Sequence, residues 1–189
     1  APSYSLFGRW HIDRRNSFAY SETDLEGLLE LARLAQMPVQ RTARRSPGTA
    51  MTSIQLGRAV KDGILVPWRK SEPERYKTAL QLLTVDKGGL TYQPKIGAFE
   101  GIAEIDYASM YPSLMVTRNI SPETVLCGCC ENQVVPEAEY NICTRRRGLI
   151  PTTLAPLVER RRQLKALMRN AKEQTRAIYD ARRTAIKWM

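Results

Sequence analysis

No part of this sequence is apolar enough to cross a membrane, since its apolar runs fall well short of the ~20 residues that a spanning helix needs. The first residues also lack the basic and apolar regions of a secretory signal peptide. Internal repeats and low-complexity tracts are absent as well. These absences argue against membrane and repeat proteins, and we expect a cytoplasmic location in a reducing compartment. The chain begins with Ala1 rather than Met, which indicates a trimmed start.

Acidic residues are scarce relative to basic ones. The 189 residues include 19 Asp and Glu against 29 Lys and Arg, so the formal net charge is +10. This balance favours polyanionic partners, chiefly nucleic acid, although a solvated basic face is the alternative. With 43% hydrophobic residues the chain can bury a core. Its length suits one domain or one large part of a multidomain protein.

Histidine and cysteine are also rare. We expect the single histidine, His11, to have only a structural role. All four cysteines lie in one predicted loop, which indicates a shared role. They are Cys127, Cys129, Cys130 and Cys143. A zinc site, a disulfide pair and a chance grouping all stay open, because the spacing lacks the doubled Cys-x-x-Cys of a zinc ribbon.

The most informative segment lies near the middle of the chain. Residues 106–113 read Asp-Tyr-Ala-Ser-Met-Tyr-Pro-Ser, after an apolar-flanked stretch at 101–105. The pattern predicts a strand that ends at Asp106, a tight turn, and a short helix over Pro112–Arg118. A carboxylate binds hard cations such as Mg²⁺, and a helix N-terminus binds phosphate. We therefore predict a metal-bound triphosphate here, with a helix-capping aspartate and a core Tyr111 as the alternative.

Two further helices are predicted over Pro151–Asn170 and Glu173–Met189, as an antiparallel pair. On a wheel of about 100° per residue, Arg161 and Lys165 fall inside the apolar stripe of the first helix. A solvated helix keeps its cations off that stripe. Either a bound triphosphate neutralises the two cations, or both side chains reach water along their aliphatic stems.

These motifs resemble those of the family B DNA polymerases. The segment Asp106–Ser113 is similar to motif A of that family. The segment Glu159–Lys165 is similar to the first fingers helix, with Arg161 and Lys165 at the matching positions. Lys187 matches the lysine at the opening of motif B. The resemblance covers most of the chain.

The resemblance implies a role for each of these residues. Family members transfer nucleotides with two Mg²⁺ ions, so Asp106 is the expected catalytic carboxylate and metal ligand, and the backbone carbonyl of Tyr107 is a second metal ligand. Tyr111 is expected to select deoxynucleotides. The expected nucleotide-binding residues are Tyr107, Ala108, Ser109, Met110, Tyr111, Arg161, Lys165 and Lys187.

Two other similarities are weaker. Gly88 and Gly89 resemble the Tyr-x-Gly-Gly loop that contacts template DNA, although an aspartate stands in place of the tyrosine. Some family members from hot habitats cross-link the loop that holds the cysteines. That resemblance implies Cys129 or Cys130 paired with Cys143, as an alternative to zinc.

The implied fold is α/β (α+β), with an incomplete antiparallel palm sheet, a two-helix antiparallel fingers hairpin and a helical N-terminal connector. Helices are also predicted over Glu22–Leu34 and Thr49–Asp62 from their apolar spacing and flanking residues. We expect four regions: a remnant of or connector from the exonuclease domain (1–30), an exonuclease-to-palm connector (31–75), a palm part with motif A and the cysteine-rich loop (76–150), and the fingers helix pair (151–189).

Two acidic elements of the family are missing. Tyr20 and Asp24 imitate the third exonuclease motif, but the Asp-x-Glu that opens that site is absent. The Asp-Thr-Asp hairpin is also absent, and one carboxylate leaves two cations under-ligated. We therefore expect residues 1–189 to be inactive alone, and to need a missing C-terminal segment or a second polypeptide with that hairpin and the thumb. The implied substrates are primed template DNA and dNTP, at a nucleoid-associated location. The alternative is a non-catalytic DNA-binding or scaffold subunit derived from a degenerate polymerase.

Overall fold

Helices make up most of the structure. The computed structural model describes residues 7–67, 76–86, 88–89, 92–130, 134–135 and 137–189. In chain order the elements are α1 (Phe18–Ala35), α2 (Val39–Ala43), α3 (Pro47–Lys61), α4 (Ala79–Val85), α5 (Met110–Thr117), β1 (Val134–Val135), β2 (Tyr140–Asn141), α6 (Leu149–Arg169) and α7 (Glu173–Trp188). Among the described residues, no helix combines the length and hydropathy that a membrane span requires.

The chain divides into two compact units. The helical unit consists of residues 1–66 and 152–189, and the central unit consists of residues 67–151. The helical unit therefore contains α1, α2, α3, α7 and most of α6. The central unit contains α4, α5 and the two short strands.

The helical unit confirms the helices that the sequence predicts there. Helix α1 begins after Ser17, whose hydroxyl accepts the N–H of Tyr20 at 3.2 Å, as expected of an N-cap serine. It ends at Gln36, which has a left-handed backbone with φ 51°. Pro47 sits in the first turn of α3, where its missing N–H leaves no helical bond unmade.

Apolar side chains from α1, α6 and α7 form most of the core of the helical unit. Leu28 and Leu31 of α1 are buried together with Ala185 of α7. A second group joins Leu157 and Leu164 of α6 with Ile186 of α7. Burial of each large side chain stabilises the folded state by about 1.5–3 kcal/mol. The helices are therefore held by a shared apolar core.

A glycine permits the close approach of α1 and α7. A Cβ placed on Gly27 would lie 2.8 Å from the carbonyl oxygen of Ala181 and 2.3 Å from the Cβ of Thr23. Both distances are shorter than real Cβ contacts. The backbones can therefore approach this closely only because position 27 carries no side chain.

The central unit has little regular structure in its described part. Strands β1 and β2 pair antiparallel, with Val134 opposite Asn141 and Val135 opposite Tyr140. An isolated bridge joins Val125 and Ile142. Helix α5 confirms the short helix predicted after the motif A segment, and it begins two residues earlier than expected.

The predicted strand that ends at Asp106 is wrong. Residues 102–107 join no strand ladder in the described ranges. Ile102 and Ile105 are 75% and 92% exposed. A strand gains its backbone partners and its packed face from neighbouring segments, and the described residues supply neither here. The fold is mostly helical, and the palm sheet expected from the sequence is not seen in this part of the chain.

Candidate functional site

Asp106 lies at an exposed turn that leads directly into α5. Ser109 is the N-cap residue and has a left-handed backbone, with φ 52° and ψ 53°. The first helical bond joins the N–H of Ser113 to the carbonyl of Ser109 at 2.9 Å. The Ser113 hydroxyl also donates to the carbonyl of Ala108 at 3.0 Å. These contacts produce the tight turn that the sequence predicts, and they fix the direction of the backbone after the carboxylate.

The aromatic side chains of this turn are on the surface. Tyr107 is 77% exposed and Tyr111 is 69% exposed. The N-cap is Ser109 rather than Asp106. The alternative interpretation, a capping aspartate with a core tyrosine, therefore does not describe the segment. Asp106, Tyr107 and Tyr111 are all accessible to a ligand.

Asp106 belongs to no group of three or more metal-ligating side chains in the described ranges. Within those ranges, the group of three or more ligating side chains that the fold brings together is the four-cysteine cluster. A single carboxylate fills few of the six positions around Mg²⁺. In the part of the chain that the structure describes, Asp106 therefore offers one ligand and not a complete site.

The cations predicted to bind phosphate lie on α6 and α7. Arg161 is half-buried, whereas Lys165 and Lys187 are exposed. The buried side of α6 carries Leu157 and Leu164, and Lys165 is turned away from its centre by about 90°. The prediction that Lys165 lies inside the apolar stripe is therefore wrong, because the helix packs through a narrower face than the wheel indicates.

Arg161 has a like-charged neighbour on α7. Its burial, with the charge of Arg183, lowers the pKa of Arg161 from its ordinary value. Arg183 is itself held by the carboxylate of Asp180, at 2.6 Å. The helix pair therefore concentrates positive charge where α6 faces α7. An anionic ligand would reduce that repulsion.

Other arginines of these two helices bind carboxylates of α1 instead. Glu30 is buried, and its carboxylate accepts hydrogen bonds from Arg33 and Arg160, each at 2.9 Å. Arg182 binds Glu26 at 2.7 Å. Arg160 and Arg182 are thus already engaged in ion pairs that fasten α6 and α7 to α1, which distinguishes them from the predicted phosphate ligands.

Gly88 and Gly89 form the turn that the sequence predicts. The carboxylate of Asp86 accepts the N–H of Gly88 at 3.0 Å, and Gly89 has φ 63°. A Cβ on Gly88 would lie 2.8 Å from that same carboxylate oxygen. The left-handed backbone at position 89 favours glycine, whereas at position 88 the Asp86 side chain could move aside, and both glycines are exposed. Their contact with template DNA stays a prediction.

A basic groove in the helical unit was only partly visible in the sequence. It is lined by Trp10, Pro38, Gln40, Arg41, Arg44 and Arg45. The ring of Trp10 is 59% exposed. Exposed aromatic rings stack with nucleobases, and guanidinium groups bind phosphates. The groove therefore has the side chains that single-stranded nucleic acid binds.

The four cysteines lie together in the central unit. The Sγ atoms of Cys127 and Cys130 are 3.5 Å apart, as are those of Cys129 and Cys143. The Cys130 Sγ is also 3.9 Å from Cys129 and 3.8 Å from Cys143. The shared role predicted from their clustering is supported by this geometry. A disulfide bond, of about 2.05 Å, is present at none of these contacts.

The thiols differ in their readiness to ionise. A hydrogen bond with Cys143 raises the pKa of Cys129 to about 12. The backbone N–H of Thr144 lowers the pKa of Cys130 to about 6, and that of Arg146 lowers the pKa of Cys143. Backbone donors at the end of the loop therefore stabilise negative charge on sulfur.

A polar clamp that sequence reasoning missed joins the end of α5 to the start of α6. Ser121 accepts the N–H of Ile150 at 3.2 Å, and Glu123 accepts the N–H of Leu149 at 2.5 Å. The amide of Asn119 adds a third set of contacts: it donates to the carbonyls of residues 143 and 146 and accepts the N–H of residue 148. The first N–H groups of α6 are thus satisfied by a distant segment.

The charge of Glu123 is favoured in this clamp. Burial opposes its ionisation, but the hydroxyl of Ser121 and the N–H of Leu149 donate to the carboxylate and lower its pKa from the ordinary 4.5. A carboxylate is also stabilised by the positive end of a helix dipole. The sequence signal was the polar run Ser-Pro-Glu-Thr at 121–124, but its partner helix starts 26 residues later.

Comparison with known proteins assigns the family. The family model described as DNA polymerase family B matches residues 37–189, which contain the Asp106 turn and both closing helices. The chain belongs to DNA polymerase family B. The resemblance drawn from its motifs is therefore confirmed.

The chain is also similar in sequence to archaeal DNA polymerases. The chain is 33% identical over 160 residues to a DNA polymerase of Pyrococcus horikoshii, covering 84% of this chain and 13% of the relative. It is 31% identical over 169 residues to DNA polymerase 2 of Saccharolobus solfataricus, covering 89% of this chain and 25% of the relative. The chain thus spans a quarter or less of these two relatives.

A solved family B polymerase has a similar fold. The structure of the enzyme from Pyrobaculum calidifontis aligns with a TM-score of 0.59 at 24% sequence identity. The alignment covers 89% of this chain and 22% of that chain. This likeness concerns the fold alone.

Proposed function

We propose that this chain is the palm–fingers portion of a family B DNA polymerase, and that it takes part in template-directed addition of dNTP to a primer 3′ end. The observation that carries the proposal is the family match over residues 37–189. That range runs from before the motif A turn to the lysine near the end of α7. The same proposal includes a two-helix fingers hairpin formed by α6 and α7. It also includes a palm sheet that needs a missing segment or a second polypeptide to complete it.

In this proposal Asp106 contributes a carboxylate to the divalent-metal site. Its exposure and its position before a sharp turn support that role. When bound, two Mg²⁺ ions activate the attacking 3′-oxygen and stabilise the developing charge. The backbone carbonyl of Tyr107 is a further ligand, and the exposed ring of Tyr111 lies against the sugar and excludes a 2′-hydroxyl. The remaining ligands come from an acidic hairpin that this chain does not contain.

The cations of α6 and α7 bind the triphosphate. Arg161 lies beside Arg183, and their mutual repulsion supports an anionic ligand at this position. A guanidinium binds phosphate oxygens in pairs, whereas the ammonium groups of Lys165 and Lys187 act as point charges. The exposure of both lysines leaves them accessible to a nucleotide.

The experiment is a primer-extension assay with a split enzyme. The chain of residues 1–189 is tested alone and with a polypeptide that carries the acidic hairpin and thumb. We expect no extension by the chain alone, and extension by the pair that is lost in Asp106→Ala. Glu104→Gln removes an exposed carboxylate two residues away and serves as the matched control; it should retain activity.

Two outcomes would contradict the proposal. Extension by the chain alone would show that the acidic hairpin is not needed. Full activity of Asp106→Ala with the partner would remove Asp106 from the metal site. Each outcome points to a different part of the proposal, so the two errors can be told apart.

A second function is favoured by the basic groove around Trp10. A degenerate polymerase could bind DNA there and act as a non-catalytic scaffold. In that case the chain binds primed DNA, the added partner restores no extension, and Trp10→Ala weakens binding more than Asp106→Ala. DNA binding measured by fluorescence anisotropy at fixed salt distinguishes this function from the enzyme.

A further inference from the structure

The cysteine cluster has the dimensions of a mononuclear metal site. All four Sγ atoms lie within 4.8 Å of one another. Four sulfurs placed about 2.3 Å from one central Zn²⁺ form a tetrahedron with edges of about 3.8 Å. Four of the Sγ–Sγ separations, at 3.5, 3.5, 3.8 and 3.9 Å, fall around that edge length. The side chains are therefore already arranged around one position.

We propose that Cys127, Cys129, Cys130 and Cys143 bind one Zn²⁺ in a closed structural site. Four thiolates fill the tetrahedral coordination of zinc, so no position is left for water or substrate. The site therefore holds the chain together and takes no part in chemistry. This inference rests on the sulfur geometry and is independent of the proposed polymerase activity.

The geometry favours a single ion over an iron–sulfur cluster. Tetrahedral S₄ coordination suits either zinc or iron–sulfur centres. A cluster of several irons separates its protein sulfurs further than one ion does, because the irons and bridging sulfides lie between them. All four sulfurs lie within 4.8 Å of one another, so no pair is far enough apart for its members to bind different irons of a cluster.

The geometry also favours a metal over two disulfides. Cys130 Sγ lies within 3.9 Å of the Sγ atoms of all three other cysteines. Two separate disulfides require only that the sulfurs be close within each pair. They do not require short Sγ–Sγ distances between one pair and the other. A tetrahedron requires those cross-contacts, and they are present.

Neighbouring groups suit a negatively charged metal–thiolate centre. The backbone N–H groups of Thr144 and Arg146 are directed at the sulfurs of Cys130 and Cys143. The amide of Asn141 donates to the carbonyl of Cys127 at 2.9 Å and fixes the loop that carries it. Donors of this kind orient the ligands and offset the surplus negative charge of four thiolates around Zn²⁺.

The site would fasten the polar clamp at the start of α6. The carbonyl of Cys143 accepts a hydrogen bond from Asn119 at 2.8 Å. The other three ligands lie on the opposite side of the β1–β2 hairpin in sequence. Zinc therefore closes the loop between residues 127 and 143 and holds the carbonyl that Asn119 binds. Without metal we expect the loop from 121 to 148 to become accessible to proteases.

The first experiment measures metal in the purified full chain, prepared in reducing buffer and refolded with zinc. We expect one zinc per chain, and its release as a mercurial binds the four cysteine thiolates. Replacement by Co²⁺ should give the visible bands of tetrahedral cobalt–thiolate coordination. Two disulfides in this reduced sample, iron in place of zinc, or zinc well below one per chain would each overturn the proposal.

Variants locate the metal. Cys130→Ser and Cys143→Ser should lose at least about ten-fold in zinc affinity, since even the loss of an outer partner of a metal ligand costs about that much. Glu139→Gln, at an exposed position in the turn of the same loop, should keep full zinc content. Because Cys143 is buried and its variant can fail to fold, the exposed Cys129→Ser is tested as well. Limited proteolysis with and without chelator completes the test: zinc should protect the loop, and equal cleavage in both states would contradict a structural role.

Discussion

The helical unit and the central unit are stabilised in different ways. In the helical unit, large side chains such as Leu28, Leu31 and Leu164 are almost fully buried. In the central unit, neither α4 nor α5 has a buried residue, and its buried side chains include Ser121, Thr124 and Cys143. The first unit therefore depends on apolar packing, whereas the second depends on hydrogen bonds and on its cysteines.

This difference explains where a metal would be useful. A segment with a small apolar core rarely gains enough stability from packing alone, and natural examples add disulfides or a metal. The helical unit does not need a disulfide or a metal for stability, because its long helices share two apolar clusters. All four cysteines of the chain lie in the central unit, whose described residues form no such apolar cluster.

The largest expected effect comes from the apolar core of the helical unit. Leu164 is fully buried, whereas Leu167 on the same helix is 48% exposed. We expect Leu164→Ala to lower the free energy of unfolding by about 2–5 kcal/mol, and Leu167→Ala by about 0.5 kcal/mol. Urea denaturation followed by far-ultraviolet circular dichroism measures both. Equal losses in the two variants would show that α6 does not pack through Leu164.

A smaller effect is expected where α1 approaches α7. Gly27→Ala places a Cβ against Ala181 and Thr23, and overpacking of this kind costs about 1–3 kcal/mol. Gly57 in α3 is the control, since its Cβ would meet nothing closer than 4.0 Å. Gly57→Ala should therefore stabilise the helix by about 0.5–1 kcal/mol. Thermal melts of the two variants should shift in opposite directions, and a shift in the same direction would contradict the close approach.

The smallest effect tests the polar clamp of the central unit. Glu123→Gln removes the charge next to the N–H of Leu149 and should lower local stability by about 0.5–1 kcal/mol at neutral pH. Hydrogen exchange at Leu149 and Ile150 measures the loss, with the exposed Glu100→Gln as the control. Unchanged exchange at both amides would show that the carboxylate does not cap α6.

The pH dependence of the clamp sharpens the same test. The folded pKa of Glu123 is below its ordinary value of 4.5, so its stabilising contribution is present above that value and is lost as the pH falls through the folded pKa. The difference in amide exchange between the wild-type chain and Glu123→Gln should therefore disappear in acid. A difference that persists at low pH would assign it to the shape of the side chain and not to its charge.

Sequence reasoning predicted the elements whose signals are local. Apolar spacing and flanking residues, with Pro112 at the predicted start of α5, indicated α1, α3, α5 and the closing helices. The strand before Asp106 was predicted wrongly because a strand depends on partners elsewhere in the chain, which periodicity cannot show. The clamp of Asn119 and Glu123 was missed for the same reason, since its contacts span more than twenty residues.

The candidate site was predictable in its chemistry more than in its geometry. The motif A residues and the cations of α6 were predicted from their resemblance to family motifs, and the range of the family match contains them. The helix wheel placed Lys165 in the apolar stripe, but the face that packs was set by helices far away in sequence. The four cysteines were recognised as a group, and their spacing alone could not show how closely the sulfurs meet.

The left-handed backbone of Ser109 implies stored strain beside the candidate catalytic carboxylate. A non-glycine residue adopts this conformation at a penalty of about 1–2 kcal/mol, and Ser109 has φ 52°. Glycine would relieve the penalty and let the adjoining peptide plane rotate. The conformation of Ser109, three residues after Asp106, therefore lowers stability while it fixes the orientation of the backbone amides there. Strain of this kind is expected where a protein holds its backbone ready for a ligand.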